Sequence, residues 1–203
     1  MTSEDGTGGF YPLPSRNVRL AGLAGIAGAL LWPVMLIELA NVTQSCIATS
    51  CEVDRGSLVL IALAPISLGL ATLGLELRAR HTPGMGDLVG DLTVGTSAVL
   101  FALSVVTGAA GLIGPGLLLL LIGSLIFGIV GYLNGARQRL ASAIVAIGAG
   151  SLLLFLAVGA GSGGAGFETP SILALAMFAI GWGWLGVHLL LARPLPIPER
   201  KGA

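Results

Sequence analysis

The run LLLLLIGSLIFGIV at 117–130 continues without a charge to Ala136, so any helix it forms is apolar on every face. A helix at the edge of a soluble core keeps one side for water and places polar residues there. Here no side is kept for water, and the solvent that this segment predicts is lipid.

The rest of the chain agrees. Of 203 residues, 55% are hydrophobic and only 10% are charged, against about 25% charged in an ordinary soluble domain. The 32 glycines and 10 prolines would suggest low complexity in a polar chain. With a mean hydropathy of +0.95 they point to closely packed membrane helices, in which glycine is frequent. The formal net charge is zero, so no basic field gathers nucleic acid and no nucleic-acid partner is expected. Motifs for nucleotide, haem, zinc or phosphate are missing, and the sequence predicts neither a cofactor nor a metal site.

Taken in order, residues 1–19 predict a disordered cytoplasmic arm, because the first fifteen lack an apolar period and carry glycine and proline at turn positions. Apolar runs then predict spans at 20–40, 57–77, 93–113, 117–134, 140–159 and 171–192, each close to the length that crosses about 30 Å of hydrocarbon. The first is expected to be retained as an anchor, since a cut after Ala40 would place Glu38 where a signal peptidase needs a small residue. Asn41 to Gly56 predicts a polar loop. Residues 82–92 predict a turn, with Asp91 capping the third span, and Gly114-Pro115-Gly116 predicts the reversal between spans three and four. The glycine-rich stretch around Ser162 predicts an exposed loop, and 193–203 a proline-rich cytoplasmic tail. The predicted fold is an all-α integral membrane protein, one domain of six transmembrane helices over 20–192.

Orientation follows from the cations. Counting alternate sides, Arg16, Arg19, Arg78, Arg80, Arg137, Arg139, Arg193, Arg200 and Lys201 lie on one side and only Arg55 on the other. Cytoplasmic loops collect positive charge, so both termini are expected in the cytoplasm. The predicted location is the plasma membrane, specifically a bacterial cytoplasmic membrane, as the strong preference for arginine over lysine suggests a GC-rich genome.

Three pairs of residues invite a chemical reading. Cys46 and Cys51 lie in the outer loop, and their spacing of four intervening residues fits a structural disulfide better than a redox dithiol or a zinc knuckle. Glu38 and Arg55 flank the same loop at similar depth, as an outer interfacial pair or as two side chains reaching separately into the headgroups. Glu76 and His188 share a depth near the inner ends of spans two and six. If these spans are neighbours, carboxylate and imidazole form a pH-sensitive latch with Trp182 and Trp184 as its wall. The blander alternative pairs Glu76 with Arg80 four residues on. No catalytic residue is assigned: Ser162 and His188 lie at opposite ends of their spans, too far apart for a nucleophile and its base.

Small residues recur at helical spacing: Ala24 and Gly28, Ser124 and Gly128, Gly131 and Gly135, and Ser142, Ala146 and Gly150. Such faces serve the internal bundle, or a homo-oligomer or membrane-protein partner, in addition to the lipid bilayer itself. Between Thr93 and Ala136, and again between Leu140 and Phe167, Tyr132 is the one ionisable side chain. That argues against ion-coupled transport, which uses buried acids or bases. The favoured expectation is a non-enzymatic packing, interaction or stress-related membrane protein. The alternative is a small transporter or channel for a neutral or apolar solute.

Overall fold

The computed structural model describes residues 15–48, 53–78, 85–133, 139–161 and 169–191. Within them the chain forms α1 (Ser15–Ala48), α2 (Arg55–Arg78), α3 (Met85–Thr107), α4 (Ile113–Leu133), α5 (Arg139–Gly161) and α6 (Thr169–Leu190), with a 3-10 turn at Ala110–Leu112. No strand occurs among the described residues. All six helices are long and apolar enough to cross a membrane.

Glycine inside a helix costs about 1 kcal/mol relative to alanine in water, yet these helices carry many. In an apolar solvent an unpaired backbone group costs more than that, so in lipid such a chain would stay helical despite its composition. The periphery matches such a solvent: Leu30, Leu73, Val106, Leu118, Leu154 and Ile172 are exposed, one on each helix. A water-facing surface rarely carries so continuous an apolar belt.

Each helix packs on its neighbours in the chain, and α6 returns to α1, so the six close into a ring. Missing side chains make the closest approaches. A Cβ placed on Gly22 would lie 2.6 Å from the Leu190 nitrogen, and one on Gly186 would lie 2.7 Å from the Gly22 oxygen, so α1 and α6 meet backbone to backbone. Gly128 against Ala146 joins α4 to α5, and Gly148 against Phe178 joins α5 to α6. Gly28 lies against Leu68 and Ala64 of α2. The small-residue faces read from the sequence are therefore occupied largely by the chain's own helices. Ser97 adds a hydrogen bond across the ring wall, donating to the Gly116 carbonyl at 2.7 Å.

Several boundaries depart from the sequence reading. Helix α1 begins at Ser15 and runs for 34 residues to Ala48, taking in the end of the predicted arm and half of the predicted 41–56 loop. Once a helix is nucleated, each further residue adds a hydrogen bond, and Val42 and Val53 still pack on the core. Helix α3 starts at Met85, where a turn was expected, and Asp91 is a half-buried residue within it instead of its cap. The glycines that looked like turn residues are contact residues: a Cβ on Gly86 would lie 2.7 Å from Val130, and one on Gly90 3.0 Å from the Phe127 nitrogen.

The α3–α4 reversal also lies elsewhere. It falls at Gly108 to Leu112, where Gly108 adopts φ +73°, a left-handed conformation that glycine enters without a Cβ penalty. The Thr107 hydroxyl accepts from the Ala109 nitrogen at 3.3 Å. Gly114, Pro115 and Gly116 form the first turn of α4, where the nitrogens have no intrahelical acceptor and proline loses nothing. Gly116 is needed there because Phe101 would lie 3.0 Å from its Cβ.

Candidate functional site

The centre of the ring is aromatic. Trp32 on α1 lies 4.6 Å, ring centroid to centroid, from Phe178 on α6; Phe178 meets Trp182 edge-on at 6.5 Å, and Trp182 stacks on Phe127 of α4 at 5.5 Å. The helical rise places Phe178 and Trp182 one turn apart on the same face of α6. Trp32, Phe178 and Trp182 are essentially fully buried, near the middle of their helices. Aromatic pairs in such geometries contribute about 0.5–1.5 kcal/mol beyond the area they bury.

Three polar atoms at this depth have no hydrogen-bond partner: Trp32 Nε1, Trp182 Nε1 and Ser124 Oγ. The other hydroxyls show the contrast. Thr72, Thr93, Thr96, Ser104 and Thr107 each donate to a carbonyl of their own helix, three or four residues back. An unsatisfied buried donor costs about 1–3 kcal/mol, so the centre offers N–H and O–H groups to an acceptor. No acid or base is among the buried polar side chains of the described residues. Among the described residues no group of three His, Cys, Asp or Glu side chains could hold a metal ion.

At the opposite end of α1 from the chain start, Glu38 accepts from the Ser57 hydroxyl at 3.3 Å. The one Ser57 hydroxyl proton is shared with Asp54 Oδ2, the nearer acceptor at 2.8 Å, while Asp54 Oδ1 accepts from the nitrogens of Gly56 at 2.6 Å and Ser57 at 3.2 Å. With Leu58 donating to the Asp54 carbonyl at 3.2 Å, Asp54 caps α2. Its carboxyl is held below the usual carboxylate range, first by the Ser57 hydroxyl and then by the Ser57 and Gly56 nitrogens. The sequence analysis missed this cap, although Asp-Arg-Gly-Ser before an apolar run carries its signature. Glu38 therefore meets the first turn of α2 two residues past Arg55, whose side chain is exposed.

Where α1 begins, it stands between α2 and α6, which touch only lightly. They meet where Leu189, beside His188, reaches to 3.9 Å from a Cβ built on Gly74. His188 is half buried there, and the Glu76 side chain lies outside the described residues. The expected wall of two tryptophans is not formed: Trp182 is buried in the ring, whereas Trp184 is 54% exposed on its outside, as two positions apart on a helix dictate. Cys46 belongs to α1, not to a loop. Its side chain, Cys51, and with them the disulfide, lie outside the described residues, as do Ser162, Arg80 and the 193–203 tail.

No family model, no curated protein and no solved structure matches this chain.

Proposed function

We propose that the chain is a non-enzymatic, multi-pass protein of a bacterial cytoplasmic membrane, with both termini in the cytoplasm, that works through what it packs against in the bilayer. The observation that carries this reading is the closed ring with a filled aromatic centre, in which, among the described residues, no acid, base and nucleophile converge. The apolar belt supports the lipid setting, and the placement of nine cations on one side supports the orientation.

A second reading, a carrier for a small neutral solute, is favoured by the unmet donors of Trp32, Trp182 and Ser124 at mid-helix depth. One experiment separates the two. Proteoliposomes carrying the purified protein are mixed with excess glycerol or urea, and their swelling is compared with that of empty liposomes. The packing protein leaves the rate unchanged. A protein-dependent flux that falls in Trp182→Phe would replace the first reading with the second.

A further inference from the structure

Between the inner halves of α1 and α2 runs a groove of roughly 200 Å³, lined by Leu20, Ala21, Ala24, Leu70, Leu73 and Gly74, with Asn17 at one end. Small residues make it. Gly74 is drawn against Ala21, where its own Cβ would overlap the alanine methyl, and Ala24 continues the floor. Leu20, Leu70 and Leu73, all at least half exposed, form the walls. From Asn17 to Ala24 the groove follows α1 for about 10 Å at 1.5 Å per residue.

Its mouth is cationic. Because α1 begins at Ser15, Arg16 and Asn17 are helical and exposed at the level where the groove opens, whereas Arg19, two positions from both Asn17 and Ala21, faces away from it. Arg16 lies one turn before Leu20 on the same face. Helix α2 ends nearby at Arg78.

We infer that this groove holds one acyl chain of an anionic phospholipid, with Arg16 and Asn17 binding the headgroup phosphate. The inference rests on the membrane orientation proposed above. An apolar slot with guanidinium and amide donors at one end matches a molecule with an apolar tail and an anionic head. A second copy of the chain fits less well. A symmetric pair packed through this face would bring Arg16 against its own copy.

The test is native mass spectrometry of the delipidated protein with equimolar phosphatidylglycerol and phosphatidylcholine bearing identical chains. A basic side chain near an anionic surface favours it by about fivefold, so wild type is expected to retain phosphatidylglycerol at least about fivefold over phosphatidylcholine. Arg16→Gln should abolish that preference, Arg16→Lys should retain most of it, and Arg19→Gln, on the far face of α1, should leave it unchanged. Ala24→Leu, which fills the groove, should lower retention of both lipids. Equal retention by wild type, an undiminished preference in Arg16→Gln, a loss in Arg19→Gln as large as in Arg16→Gln, or a lipid-free dimer lost in Ala24→Leu would each overturn the inference. A reporter fused after Ala203 keeps the two levels apart. If it reads cytoplasmic while lipid selectivity is absent, only the groove assignment fails, and if it reads external, the orientation fails first.

Discussion

Replacing Gly186 with alanine loads the seam where α6 closes on α1. The new Cβ would lie 2.7 Å from the Gly22 oxygen, 2.7 Å from the Ile26 nitrogen and 3.0 Å from the Gly25 carbonyl carbon, whereas ordinary contact begins near 3.4 Å. The difference, 3.4 minus 2.7, requires the two helices to part by about 0.7 Å. No side chain can rotate away, because all three obstacles are backbone. Overpacking of this kind costs about 1–3 kcal/mol, and removing a helical glycine returns up to about 1 kcal/mol. The backbone clash wins, and the variant should lose about 1–2 kcal/mol. Gly95 is the matched control: a Cβ there meets nothing within 4 Å, so Gly95→Ala should gain up to about 1 kcal/mol. Unfolding by sodium dodecyl sulfate in a mild detergent, followed by the fluorescence of Trp32 and Trp182, measures both. The double variant Gly22→Ala/Gly186→Ala should cost less than the sum of its parts, since one separation accommodates both methyl groups. Equal stabilities for Gly186→Ala and Gly95→Ala would refute the closed seam.

Two further outcomes follow from named contacts. Trp182→Phe removes an unmet donor while keeping an aromatic ring, so its cost in the same unfolding assay should stay below about 1.5 kcal/mol, whereas Trp182→Ala should cost about 3–5 kcal/mol; a phenylalanine variant as damaged as the alanine one would show that the indole nitrogen has an acceptor. The Asp54 carboxyl is depressed in the folded state, so the cap stabilises above the ordinary carboxylate value and is lost as the pH falls through the lower, folded value. Hydrogen exchange at Gly56 and Ser57 should rise over that acidic window in wild type and show no such step in Asp54→Asn, which still caps; a step of equal size in both would assign the effect to another group.

The six apolar helices were legible because runs of about twenty apolar residues, such as the one that contains 117–130, mark helices long and apolar enough to cross a membrane. Boundaries were less legible, for a physical reason that recurs. Glycine serves both turns and helix contacts, so Gly86 and Gly90 looked like a loop until Val130 and Phe127 were seen against them. Proline serves both reversals and first turns, which moved the α3–α4 turn from Pro115 back to Gly108. The aromatic centre was hidden because a tryptophan in an apolar run carries no mark of which way it faces. Trp182 and Trp184 are equivalent in sequence and opposite in the ring, a difference set by how α6 packs on α1 and α5. The closure itself could be suspected from small residues at helical spacing, but which helices they join is a matter of tertiary contact.

Reporter fusions at Arg137 and Gly164, read beside one after Ala203, bear most directly on the six-span topology. Arg137 and Ala203 should report the cytoplasm and Gly164 the outside, giving α5 and α6 each one crossing. Arg137 and Gly164 on the same side would mean that α5 does not cross, and the closed ring would then lack one of its walls within the membrane.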